Sequence, residues 1–149
     1  IQAPGTLDGG DVLRLGRRVF VALSARSNRE GVKQLRALLS PFGCAVEALA
    51  VSGCLHLKSA VTQVAPDAVL LNRAWVDSAG FDGLRCIDID PAEPYAANAL
   101  LVGEAVIYPT AFSRTAARLE RAGIRLVPVD VSELAKAEGA VTCCSLILQ

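Results

Sequence analysis

DVLRLGRRVFVAL (11–23), NREGVKQLRALLSPFG (28–43) and CAVEALAV (44–51) follow one another with two changes of apolar period. The first segment holds two β-rich runs with a turn at Gly16 and Arg17. The second places Val32, Leu35, Leu38 and Leu39 at helical spacing and then meets Pro41 and Gly43, which stop a helix. The third is a β-run again. The unit therefore reads ββαβ.

The same unit recurs nearer the other end. NALLVGEAVIYPTA (98–111) gives two short β-runs around Gly103 and Glu104, SRTAARLERAG (113–123) reads as a helix closed by glycine, and IRLVPVDV (124–131) is a β-run. Between these copies, SAVTQVAPDAVLLN (59–72) and LRCIDID (84–90) bracket a segment from Trp75 to Gly83 that is expected to hold a short helix. This is a third, weaker copy. TCCSLILQ (142–149) opens a fourth and stops after one strand, as a closing strand would. The repeats run over about 6–53, 54–93 and 94–139, within a single α/β domain covering 1–149.

The 149 residues are 52% hydrophobic, enough for one domain with a substantial core. Lys plus Arg and Asp plus Glu number 15 each, so no net field recommends nucleic acid or an anionic membrane as partner. No segment approaches the ~18 continuous apolar residues of a transmembrane helix, and no basic-then-apolar leader opens the chain. The expected compartment is the cytoplasm. Five cysteines, an odd number at spacings that match no zinc pattern, argue for free thiols over a disulfide framework or a structural metal. The sequence contains no methionine and begins IQAPGTLDGG, which suggests a true N-terminus further upstream.

Each copy is preceded by a short lead-in of unusual composition: TLDGGD (6–11), CLHLK (54–58), PYAAN (94–98) and GAVTC (139–143). If the copies share a common axis, these lead-ins converge. They carry Asp8 and Asp11, the single histidine His56, Asn98 and Cys143. A thiol is a useful nucleophile at neutral pH when a base takes its proton or its pKa is lowered, and histidine is the usual partner. His56 would then act as general acid to a leaving amine and general base to water. Asp8 would orient the imidazole or bind a cationic substrate. Taken singly, each residue has a plainer reading: a satisfied structural histidine, a packed cysteine, an Asp/Gly turn. Arg26, in SARSN (24–28), is either a solvated arginine or a carboxylate clamp, beside a helix cap at Ser27 or Asn28. Cys44, Cys54 and Cys86 read as core residues. Cys143 and Cys144 adjoin on an expected strand, so their side chains should face opposite ways.

TLDGGDV (6–12), SARSN (24–28), LHLKSA (55–60), YAAN (95–98) and the closing SELAKAEGAVTCCSL (132–146) resemble, in order and spacing, the dimethylarginine dimethylaminohydrolase family. That family lies in the guanidino-group-modifying (pentein) superfamily, whose fold is a five-bladed αββαβ propeller. The resemblance covers the whole chain, which is similar to the C-terminal three-fifths of such an enzyme, about three of five blades.

The resemblance implies Cys143 as nucleophile, because the family's cysteine follows the Thr of T-C-x-S, with Cys144 turned into the blade. It implies His56 as the catalytic histidine, Asp8 as the acidic residue, Arg26 as the binder of the substrate α-carboxylate, and the backbone near Ala137 as receiver of the α-amino group. Ser27 stands where the family has Thr, Glu138 where Asp is usual and Ala140 where some members have Gly. The implied reaction is hydrolysis of Nω-methylated arginine to citrulline and methylamine or dimethylamine through a Cys-bound thiouronium, with no metal or organic cofactor. The family's two further blades supply a lid, more acidic residues and a second arginine that these residues do not contain. The chain is thus expected to need those N-terminal blades or a homo-oligomeric partner. Rival readings are an arginine deiminase or amidinotransferase of the same superfamily, and a non-catalytic fragment that binds a partner through open blade edges.

Overall fold

The computed structural model describes residues 1–148, and Gln149 lies outside the described residues. Three three-stranded sheets follow one another, each with its middle-numbered strand at the centre. In the first, β1 (Val12–Leu15) pairs antiparallel with β2 (Arg18–Leu23), and β2 pairs parallel with β3 (Ala45–Ala50) after the crossover helix α1 (Arg29–Leu39). Gly16 takes φ 61° in the two-residue loop between β1 and β2, a left-handed conformation that suits the twist of a tight hairpin. Asn28 caps α1, its side chain accepting the Gly31 N–H at 2.8 Å.

A short helix α2 (Leu57–Ala60) leads into the second sheet, β4 (Val61–Ala65), β5 (Ala68–Leu71) and β6 (Arg85–Asp88). The third sheet is β7 (Leu100–Val102), β8 (Ala105–Pro109) and β9 (Leu126–Val129), with α3 (Ser113–Arg121) as crossover. A last single-turn helix, α4, spans Ser132–Ala135. The ββαβ reading holds in the first and third units. In the second, the crossover carries one 3-10 turn, Ser78–Phe81, where a short helix was expected. Asp77 caps that turn on the Ala79 N–H at 2.9 Å, and Gly80 and Gly83 leave no room for a longer apolar stripe.

Packing binds the units in series. β5 is buried along its whole length and sends alternate residues to opposite sides: Val69 and Leu71 join Leu13, Leu15, Phe20 and Phe81 of one core, while Ala68 and Leu70 join Tyr108, Leu119 and Ile124 of another. Period-two alternation explains why AVLL carries no polar residue: both faces of its sheet are covered. A smaller core of Val19, Val21, Val32 and Val46 seats α1 on the first sheet.

The closing strand expected over 142–149 does not form over the described residues 142–148. Residues 141–144 make a turn, with the Cys144 N–H donating to Ala140 O at 3.0 Å, and 145–148 carry no regular structure. A lone strand has no ladder to satisfy its N–H and C=O groups. Among the described residues every strand pairs within its own three-stranded sheet, and none pairs with this segment.

Candidate active site

The four lead-ins do converge, and hydrogen bonds stitch each to the next. Asp11, fully buried, is the first junction. Its Oδ2 accepts from Ser24 Oγ at 2.6 Å and Ser27 Oγ at 2.8 Å, and its Oδ1 accepts the Leu57 N–H at 3.3 Å. Ser24 Oγ accepts the Arg26 N–H at 2.9 Å, and Ser27 Oγ accepts the Asp8 N–H at 2.9 Å. One carboxylate therefore sets the backbones of Asp8, Arg26 and the residue after His56. From the second lead-in, Lys58 Nζ donates to Gly9 O at 3.0 Å, closing the same junction from outside.

On this frame Asp8 stands between two cations or potential cations. Its Oδ1 lies 3.4 Å from His56 Nε2 and its Oδ2 lies 3.7 Å from Arg26 Nη1. The Gly10 N–H, donating to Oδ1 at 2.7 Å, holds the Asp8 carboxyl below its ordinary value, with charge at His56 and Arg26 adding to this against partial burial. His56 Nε2 is buried without an aligned hydrogen-bond partner, so its contact with Asp8 is electrostatic. The imidazole lies flat against Gly10: a Cβ there would stand 2.6 Å from the ring carbon Cγ. Glycine is required at position 10 by that close approach. Cys54 Sγ donates to the His56 carbonyl at 3.3 Å, and burial, with the Asp11 charge, pushes its thiol up. Burial likewise raises Cys86. The three cysteines expected in the core are half-buried at its edges, Cys54 and Cys86 against the core of Leu57 and Phe81 and Cys44 against the one beneath α1.

Asn98 joins the later lead-ins. Its Nδ2 donates to Lys58 O at 3.0 Å and to Thr142 Oγ1 at 2.9 Å, and its Oδ1 accepts the Thr142 N–H at 3.2 Å. Cys143 follows Thr142 but is exposed, its Sγ taking the Ala140 N–H at 3.1 Å and lying 3.9 Å from Cys144 Sγ. The expected division of the two thiols between opposite faces is not found: both sit in one turn and both are exposed, because no strand forms there to separate them. Cys144 is raised by desolvation and by the neighbouring Cys143 thiol.

The structure thus brings Asp8, Arg26 and His56 into one group, and ties the Cys143 segment to that group through Asn98 and Lys58. Ala137 is exposed in the turn after α4, with its N–H on Leu134 O at 3.0 Å and no hydrogen bond to Asp8, Arg26 or His56 among those of the described residues. Glu138 beside it takes φ 58°, a left-handed conformation unusual for a residue with a side chain. Gly10, Asp11, Ser24 and Lys58 had no role assigned from sequence. For Gly10, Asp11 and Lys58 the signal was position, since all three lie in the lead-ins; Ser24 lies away from them in sequence, in SARSN (24–28). Among the described residues no three His, Cys, Asp or Glu side chains gather as a metal-ligand set, and no helix is long and apolar enough to cross a membrane.

No family model matches the chain. It is 36% identical over 146 residues, 98% of its length, to an N(G),N(G)-dimethylarginine dimethylaminohydrolase of Pseudomonas aeruginosa, and 40% identical over all 149 residues to the enzyme of that name from Streptomyces coelicolor. The chain is a homologue of these dimethylarginine dimethylaminohydrolases. It spans 58% and 57% of their respective lengths. Among solved structures, a Cys-to-Ser mutant of the Pseudomonas aeruginosa dimethylarginine dimethylaminohydrolase complexed with citrulline superposes with a TM-score of 0.86 at 33% identity, covering 95% of this chain and 56% of that one. A His-to-Gly mutant dimethylarginine dimethylaminohydrolase, as an adduct with S-methyl-L-thiocitrulline, superposes at 0.88 with 35% identity, covering 98% and 57%. An amidinotransferase from Microseira wollei shares the fold, with a TM-score of 0.89 at 19% identity, over 100% of this chain and 49% of its own. The α/β architecture is therefore that of the dimethylarginine dimethylaminohydrolase and amidinotransferase structures.

Proposed function

We propose that this chain carries the nucleophile and the acid–base pair of a dimethylarginine hydrolase, in three of the five blades of a propeller. The observation that carries the reading is the buried, unbonded His56 Nε2 beside Asp8, on a segment linked through Asn98 to that of Cys143. Its homologues' structures support it, one a Cys-to-Ser mutant with citrulline and one a His-to-Gly mutant adduct.

In this mechanism His56 takes the Cys143 proton and the thiolate forms a C–S bond to the guanidinium carbon of an Nω-methylated arginine. The tetrahedral adduct breaks its C–N bond to methylamine or dimethylamine, which departs with a proton from His56. His56 then deprotonates water, which adds to the thiouronium carbon; the C–S bond breaks, giving citrulline and the thiol. Asp8 orients the imidazole and balances its positive charge. Arg26 binds the substrate α-carboxylate, which requires it to turn from Asp8, and the backbone near Ala137 receives the α-amino group. The remaining blades, or a second copy of the chain, complete the pocket. Five free thiols suit a reducing compartment, and a cytoplasmic location belongs to the same reading.

The test is intact mass spectrometry after incubation with 2-chloroacetamidine, followed by peptide mapping. Selective labelling of Cys143, lost in His56→Ala, is the expected result. Equal reaction of all five thiols overturns the catalytic reading of this chain. It favours the second reading, a fragment that binds a partner, for which the exposed Leu146 and Leu148 speak. Release of dimethylamine from dimethylarginine, against ammonia from arginine, separates the hydrolase from a deiminase.

A further inference from the structure

One side chain stands between the histidine segment and the cysteine segment. Asn98 is 7% exposed, and every polar atom of its carboxamide is engaged, Nδ2 with Lys58 O and Thr142 Oγ1, Oδ1 with the Thr142 N–H. Lys58 lies two residues after His56, and Thr142 one before Cys143. The other hydrogen bonds of residues 139–145 are local, to Leu134, Ala140, Cys143 or Cys144. Among the described residues, both hydrogen bonds that carry this segment to a distant part of the chain end on Asn98.

We propose that Asn98 is a positioning residue that fixes the Cys143 backbone relative to His56; the inference rests on the function proposed above and deepens it. The job requires two donors and one acceptor in a flat group on a short stem, which asparagine supplies. Aspartate would offer acceptors only and aim one at the Lys58 carbonyl. A leucine of similar branching would leave the Thr142 N–H and the Lys58 carbonyl without these bonds. Because the amide hydrogen-bonds to neither thiol nor imidazole, its effect falls on their mutual geometry. A misplacement on the order of 1 Å between reacting groups is enough to reduce a rate about a hundredfold.

The test compares, at Cys143, the rate of labelling by 2-chloroacetamidine with the rate by iodoacetamide. The ratio reports amidine recognition and assistance by His56, and cancels mere thiol exposure. Thr142→Val deletes one arm of the bridge at a half-exposed position that leaves the core untouched, and Asn98→Ala deletes all three. Thr142→Val should lower the ratio about tenfold, the factor carried by one hydrogen bond of ordinary strength. Thr142→Ser, which keeps the hydroxyl, should restore it, and Asn98→Ala should lower it further. If the unmodified chain prefers chloroacetamidine and both deletion variants keep that preference, the positioning role is overturned while the proposed function stands. If the unmodified chain shows no preference, the functional reading fails and the positioning role goes with it.

Discussion

The first and last lead-ins each carry a residue of the proposed site, and the fold holds them in opposite ways. In 6–11 a fully buried carboxylate, two serines and a backbone N–H lock Asp8 and the neighbour of His56 into one network. In 139–148 two hydrogen bonds between Thr142 and Asn98, with the buried Val141, anchor a segment whose thiols are exposed, with Leu146 at 84% and Leu148 at 83% exposure. The acid–base half of the proposed site is organised by its own surroundings. The nucleophile half depends on one amide. A site is only as well organised as its less supported half, because the groups must be held together within a fraction of an ångström.

The largest test of this contrast is a pair of leucine truncations. Leu57, fully buried directly after His56, packs with Leu13, Phe20 and Phe81. Leu57→Ala should lower unfolding free energy by about 3 kcal/mol through lost burial and the cavity left behind, whereas Leu146→Ala should change it by less than about 0.5 kcal/mol. Urea unfolding of both measures the difference. Equal losses would mean that the terminal segment is packed after all.

Next is the buried carboxylate. Asp11→Asn keeps shape but must point an amide N–H either at the Leu57 N–H or at the two serine hydroxyls. One junction then opens, at a cost of about 2 kcal/mol. Denaturant midpoints check this, and the loss should be accompanied by slower chloroacetamidine labelling at Cys143 as His56 shifts. A neutral result would show that the serines and Leu57 find other partners.

Smaller in stability but more local is Gly10→Ala. The new methyl would stand 2.6 Å from the His56 ring, so the imidazole must move. We expect a cost on the order of 1 kcal/mol in folding and a marked loss of amidine-selective labelling. Full selectivity would show that the ring's present position against Gly10 is not the one used.

How far the sequence revealed all this follows the same contrast. The ββαβ units were legible because Val32, Leu35 and Leu39 keep helical spacing and because Gly16 and Gly103 mark two-residue loops. The second unit was harder to read, since its crossover compresses to one 3-10 turn whose capping Asp77 is a local signal with no apolar period behind it. The meeting of Asp8 with His56 followed from their equivalent places in the repeat. Asp11 was legible as a carboxylate carried to the meeting of the lead-ins but not as their buried hub, because nothing in DGGD distinguishes a buried hydrogen-bond hub from a solvated acid. The final TCCSLILQ misled for a physical reason: apolar β-formers specify a strand only when another strand offers a ladder, and alternation alone cannot supply the neighbour.

The smallest effect lies in acid. The Asp8 carboxyl sits below its ordinary value, held first by the Gly10 N–H and then by the charges of His56 and Arg26, against partial burial. Its pKa is lower in the folded chain than in the unfolded one, so the unfolded chain takes up the proton first as pH falls. The contribution is fully present above the unfolded carboxyl value of about 3.9 and is lost as pH drops through the lower folded value. Asp8→Asn cannot titrate, so the fall in urea midpoint below about pH 4 should become shallower in the variant. A remainder should persist, because Asp90 and Asp130 are also lowered, chiefly by the Ala92 and Ser132 N–H groups, and they titrate in the same window. Parallel acid limbs for the two proteins would mean that the Asp8 carboxylate is no better stabilised in the folded chain than in the unfolded one. The acid–base half would then owe its order to Asp11 and the serines alone, with His56 held by packing against Gly10 and by no charge.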